Sequence, residues 1–130
     1  MAQVFPFAAL RFSDKAGDIA KLTCPPYDII SEEQRKAYLA ENPHNIIRLE
    51  LPRDGEDPYA AAGETLKSWL KDGILKKDDA EAFYIYAIDF TVDGAQKSIT
   101  GLVGRVRLTP FSAGVVLPHE ETLSKAKADR

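Results

Sequence analysis

The stretch AFYIYAIDFTVDGAQKSITGLVGRVRL, residues 82–108, constrains the fold more than any other part of this chain. Asp93-Gly94 is a pair that tolerates positive φ at both positions of a tight two-residue turn. Before it, Tyr84, Tyr86, Ile88 and Phe90 alternate in face with Phe83, Ile85 and Ala87; after it, Ser98 to Leu108 returns. A long antiparallel hairpin is the expected result. Both faces of the outgoing strand are apolar, so it is expected to be central and covered on both sides. Gly101 and Gly104 in the returning strand predict a bulge or a close backbone approach.

Helical signals occupy the first half. Ser31-Glu32-Glu33-Gln34 is a capping box: Ser31 can accept from the Gln34 N–H while the Gln34 side chain reaches back to Ser31. Two acids in the first turn suit the helix dipole, and Pro43 predicts an end near Glu41. Asp57-Pro58 sets an N-cap followed by proline at the first helical position. Ala61, Thr65, Leu66, Trp69 and Leu70 then recur at helical spacing, with Gly73 as the stop and Trp69 as a core anchor.

The remaining segments are shorter. Residues 4–12, VFPFAALRF, read as a first strand that Pro6 confines to an edge or a bulge. DKAGDIAKL is a surface connection with room for one helical turn. CPPYD, Cys24 to Asp28, is held extended by its two prolines, and Asp28 can cap the helix after it. NIIRLEL, Asn45 to Leu51, is β-branched and apolar and reads as a strand. His44 falls in the turn before it, and Arg48 is placed to pair with a carboxylate or to face a pocket. The sum is an α+β fold: a mixed, largely antiparallel sheet with a long hairpin and two or three helices, in a single domain over residues 1–130.

Charge narrows the function. Lysine and arginine number 17 against 20 acids, a formal net charge of −3. That balance opposes nonspecific adhesion to duplex nucleic acid or anionic membrane, though it leaves room for a small basic pocket. The lone Cys24 permits no internal disulfide and fits a reducing compartment. The apolar start lacks a basic n-region and a cleavage site, and no apolar run approaches the ~20 residues that span a bilayer. A cytoplasmic location is expected.

Chemistry is expected near the end, in GVVLPHEETLSKAKADR from Gly114 to Arg130. An apolar strand, Val115 to Leu117, runs into Pro118 and then into a crowd of polar groups. Thr122 or Ser124 can cap a helix whose first N–H groups form an anion site. Lys125 and Arg130 would add charge-assisted contacts to phosphate or carboxylate. His119 and Glu120 have the chemistry of an acid and a base. Set against this, polar clusters near a chain end are usually solvated helix starts. His-Glu without a second histidine is no zinc motif, and no metal site is expected. The chain stops at KADR within an apparent helix without a C-cap, so an amino-terminal fragment of a longer protein is expected.

PFAALRF, CPPYDIISEEQR, NPHNIIRLEL, DPYAAAGETLKSWLKDGIL and GVVLPHEETLSKAKADR together resemble the bacterial family catalogued as domain of unknown function 1015, in that family's order and over nearly the whole chain. Some of its members carry a ParB-like chromosome-partitioning label. A more distant similarity, to the ParB and sulfiredoxin superfamily, implies a compact α+β fold that binds nucleotide phosphates and includes kinases acting on free serine. CPPYD before the Ser31 helix resembles that superfamily's early proline-rich segment. LPHEETLSKAKADR resembles its late polar motif, with Pro118-His119-Glu120 where a glycine is usual. The resemblance implies catalytic roles for Glu120, Asp28 and His119 and ligand binding by Tyr27, Thr122, Lys125 and Arg130. It implies a nucleoside phosphate with magnesium as ligand. A noncatalytic, partition-type regulatory module is the alternative, with direct DNA binding not expected of this chain. An unpaired hairpin edge would permit a homodimer. For Tyr27 and Asp28 the plain reading is a structural turn, with Tyr27 half-buried.

Overall fold

The computed structural model describes residues 1–118. In chain order its elements are β1 (Val4–Phe5), β2 (Leu10–Phe12), α1 (Glu32–Glu41), α2 (Ile47–Glu50), α3 (Pro58–Lys71), β3 (Leu75–Lys77), β4 (Tyr84–Val92), β5 (Ala95–Val103) and β6 (Arg105–Val106), with short 3₁₀ turns between them. The fold is α+β, and every strand pair among the described residues is antiparallel. The chain divides into two compact units, residues 9–79 and residues 1–8 with 80 onward.

In the unit of residues 9–79, local signals set three boundaries as expected. Ser31 Oγ accepts from the Gln34 N–H at 3.2 Å, and Gln34 Oε1 accepts from the Ser31 N–H at 2.8 Å, completing the capping box that starts α1. Asp57 Oδ1 accepts from the N–H groups of Tyr59 and Ala60 to start α3. At its far end Ile74 N–H donates to Trp69 O at 2.8 Å and Gly73 N–H to Leu70 O at 3.3 Å. This double closure puts Gly73 at φ +72°, a conformation that costs glycine nothing.

Trp69, Leu22, Ala16, Ile74 and Leu75 form the core of this unit, with Phe12, Leu49 and Leu66 packed on it. Trp69 anchors it as expected, its ring 6.0 Å from that of Phe12 and edge-on to His44 at 5.7 Å. Within the expected apolar stripe of α3 only Leu70 faces outward.

Several expectations are corrected. The run Asn45–Leu51 is not a strand: Ile47–Glu50 is a turn of helix. Asn45, fully buried, decides this. Its Oδ1 accepts from the Ile47 N–H at 3.0 Å, while its Nδ2 donates to Lys21 O at 2.9 Å and Thr23 O at 3.0 Å. Those bonds satisfy a buried amide and turn the backbone at its N-terminus toward helix, overriding the β-branched composition. Residues 4–12 do not form one strand. β1 and β2 are separate, because Val4–Phe5 pairs with β6 and Leu10–Phe12 with β3, with Pro6 in the break. The run DKAGDIAKL makes two 3₁₀ turns and contributes Ala16 and Leu22 to the core.

In the other unit, β4 and β5 form the expected hairpin, in register from Tyr84↔Val103 to Val92↔Ala95. Asp93 and Gly94 take φ +50° and +77°, the primed turn that matches strand twist. Gly101 lies under the Tyr86 ring, whose atoms come within 2.5 Å of where a Cβ would sit. The expected close approach is therefore ring against backbone. The expected burial on both sides is not found: among the described residues β4 pairs with β5 alone, and Ile85, Tyr86 and Ile88 are exposed. The register also separates the faces. Tyr84, Tyr86, Ile88, Phe90 and Val92 lie with Val103 and Ile99, whereas Asp89 and Thr91 lie with Ser98 and Gln96. β1 joins this unit through β6, and Phe7 and Ala82 exchange two backbone bonds of 3.1 and 3.0 Å. The expected strand at Val115–Leu117 is absent too. Phe111–Ala113 is a 3₁₀ turn closed by Gly114 at φ +63°, and the chain after it is bent.

Replacing Asn45 with alanine is expected to destabilise the protein by about 3 kcal/mol, because two carbonyls and one N–H lose their buried partner. Asn45→Asp should cost at least as much, since it sets a carboxylate against two carbonyl oxygens. Urea unfolding followed by Trp69 fluorescence reads both variants, and a loss below about 1 kcal/mol would contradict the role assigned to this amide.

Candidate functional site

The early motif is positioned from both sides. Upstream, Asn45 holds the carbonyls of Lys21 and Thr23, and Ile46 N–H donates to Leu22 O at 2.8 Å. Downstream, Ser31 begins α1. Between them Pro26 is extended at φ −52°, ψ 137°, and Tyr27–Ile29 form a 3₁₀ turn with Ile29 N–H donating to Pro26 O at 3.2 Å. The extended shape expected for CPPYD thus ends at Pro26. Asp28 sits inside the turn and does not cap α1; Ser31, one residue before the helix, has the cap geometry.

A cleft of about 570 Å³ lies over this segment, lined by Cys24, Pro25, Pro26, Tyr27 and Glu50. The pyrrolidine rings and the tyrosine ring give it apolar walls, and Glu50 at the end of α2 gives it a carboxylate. Tyr27 is half-buried, and Asp28 is exposed in the same turn, outside the cleft lining. The Cys24 thiol titrates above its ordinary range. Burial is the main cause and the Glu50 charge the second, against a smaller opposing effect from the Ile47 backbone. A thiol held neutral in this way is a poor nucleophile.

An arginine cluster adjoins the motif. Arg35 on α1 is buried, and its Nε donates to Leu51 O at 2.7 Å. Glu32 lies 3.6 Å from Arg35 Nη1 and 3.5 Å from Arg53 Nε. Arg48 pairs with Asp54 at 3.3 Å, so of its two expected roles it takes the carboxylate pairing. Arg35 fastens α1 to the end of α2 and thereby keeps Glu50 beside the proline turn. Sequence reasoning passes over Arg35 and Glu50, because neither stands in a motif and only the helical fold of 47–50 brings Glu50 to Cys24.

Of the residues expected at the site, Tyr27 and Asp28 share one turn. His119, Glu120, Thr122, Lys125 and Arg130 lie outside the described residues.

Comparison with protein families settles the relationship. The family model described as "Protein of unknown function (DUF1015)" matches residues 4–130. This chain belongs to that family. No curated protein matches it, and no solved structure does. The DUF1015 match covers both the proline turn and the polar segment after Pro118, so both candidate regions are parts of the family's own sequence. No helix among the described residues is long and apolar enough to cross a membrane.

The raised Cys24 pKa predicts slow alkylation. At pH 8 iodoacetamide should modify Cys24 more slowly than a free thiol, with the pH–rate midpoint displaced upward. Glu50→Gln should bring that midpoint partway down while burial keeps it above the free value. An unchanged midpoint in Glu50→Gln would show that the two groups do not face each other.

Proposed function

We propose that this chain is a nucleotide- or phosphometabolite-binding domain related to small-molecule kinases. The observation that carries the reading is the cleft built on the early motif, with Tyr27 and the Glu50 carboxylate in its wall. Its chemistry favours one half of a phosphoryl-transfer pair. Glu50 repels phosphate but accepts hydrogen bonds from hydroxyl or ammonium groups, so the cleft suits the acceptor substrate. Tyr27 supplies an apolar face for it. Asp28, exposed in the same turn, or Glu120 would take the proton from the attacking hydroxyl. We assign the phosphates to the late segment, where Lys125 and Arg130 have the right charge and His119 and Thr122 can offer hydrogen bonds. Magnesium would arrive with the nucleotide as part of the substrate. The similarity of CPPYD and LPHEETLSKAKADR to the ParB and sulfiredoxin superfamily supports the same division of labour, and a serine-like hydroxyl compound fits the acceptor side.

Thermal unfolding with and without nucleotide and magnesium tests this reading. A nucleotide at 100 times its Kd adds roughly 2.7 kcal/mol, which raises Tm by several degrees. The increase should shrink in Lys125→Ala and persist in full in Tyr27→Ala, whose defect should appear with the acceptor. No increase with any nucleotide would sink the proposal. Salt-dependent binding of duplex DNA in its place would favour the partition-type module.

A further inference from the structure

A second cleft, of about 500 Å³, lies in the unit of residues 9–79 where α3 ends. It shares no lining residue with the cleft over the proline turn. Ser13, Asp14, Lys15, Gly73, Lys76 and Lys77 are among the residues that line it. Two chain segments supply the lysines, and the fold locks them together. Ser13 N–H donates to Ile74 O at 2.9 Å, Ser13 Oγ to Gly73 O at 2.5 Å, and β2 pairs with β3 just beyond. Lys15 Nζ lies 3.5 Å from Asp72 O, at the negative end of α3. The Lys15 stem runs over Gly73, where a Cβ would come within 3.4 Å of Nζ.

The charges here are unbalanced. Among the described residues none of the three lysines forms an ion pair with a carboxylate. Of the nearby acids, Asp78 accepts from Arg11 Nε at 2.8 Å and Asp72 from the Ser68 hydroxyl at 2.9 Å, and the exposed Asp79 lies outside the lining. Asp14 is the one carboxylate in the lining, against three ammonium groups. Register makes the imbalance worse, because Lys76 stands directly opposite Arg11. Like charges at such a pair repel, and Arg11 is bonded to Asp78. All this occurs in a chain whose formal net charge is −3, so the excess is local.

We infer that this cleft binds a polyphosphate group. Lysine ammonium groups on flexible stems act as point charges that gather around phosphate oxygens. No arginine lines the cleft to offer a planar fork to carboxylates. The missing Cβ of Gly73 leaves room for the Lys15 stem, which brings its ammonium group to that wall. A bound polyphosphate offsets the positive charge that these lysines bring to the lining. The inference stands apart from the acceptor cleft and from residues 119–130.

The test is an amide NMR titration of the ¹⁵N-labelled chain with inorganic triphosphate, ATP, adenosine and citrate. Triphosphate and ATP should both give saturable shifts centred on Lys15, Gly73, Lys76 and Lys77, with none at Tyr27 from triphosphate. Adenosine should leave those amides unmoved, and citrate should bind at least tenfold more weakly. The double variant Lys76→Ala/Lys77→Ala should weaken triphosphate at least tenfold. Lys36→Ala/Lys97→Ala, which removes two exposed lysines outside the cleft, should not. Equal ATP and triphosphate affinities identify the phosphates as the recognised group, whereas ATP binding without triphosphate binding overturns the inference. So does equal citrate binding, equal loss in the control pair, or the absence of saturable shifts at the four amides. Should the double variant fail to fold, the amide map of the unsubstituted chain decides.

Discussion

The structure of residues 9–79 depends on one buried amide. Asn45 has no exposed surface, and three hydrogen bonds from its side chain tie the segment before the proline turn to the start of α2. A primary amide taken out of water costs several kcal/mol unless its groups are paired. The native chain path is the one that pairs them. From that follow the burial of Leu22 and Ile47, the exit direction of Cys24–Tyr27, and the placement of Glu50 across from the thiol. The cleft over the proline turn is thus a consequence of satisfying Asn45.

Electrostatics divides the surface of this unit into regions of different character. Near α1, acids and arginines alternate: Glu32 is shared by Arg35 and Arg53, and Arg48 has Asp54. The carboxyl of Glu33 is held below its ordinary range, first by its own backbone N–H and then by the Ser31 hydroxyl. Among the described residues, the lysines beyond the far end of α3 have no such partners. Ion pairs thus neutralise the region beside α1, whereas the lining around Gly73 holds three lysines and one carboxylate.

Legibility in the sequence followed the range of the interaction. The capping box at Ser31, the Asp57-Pro58 start, the Gly73 stop and the Asp93-Gly94 turn are satisfied within a few residues, and all are found where the sequence puts them. NIIRLEL was misleading because an apolar β-branched run of that length suits a strand or a buried turn of helix equally well. Only the carbonyls of Lys21 and Thr23, more than twenty positions away, favoured helix. For the first strand, Pro6 signalled only an edge or a bulge, and nothing local showed that residues 4–12 divide into two parts pairing with β6 and β3. Tyr27 was legible as a candidate from its motif, whereas Glu50 and the lysine cleft were not, since their neighbours come from distant segments.

Composition and local pattern by themselves determined that this chain is α+β, where α1 and α3 begin and end, and where the long hairpin turns. Those features rest on backbone conformations and caps that a few adjacent residues impose. Tertiary structure alone decided that residues 47–50 are helical, that Cys24 and Glu50 line one cleft, and that Lys15, Lys76 and Lys77 line another beside Gly73. Each of those outcomes depends on buried polar groups and charges finding partners across the fold, a condition that no window of sequence contains.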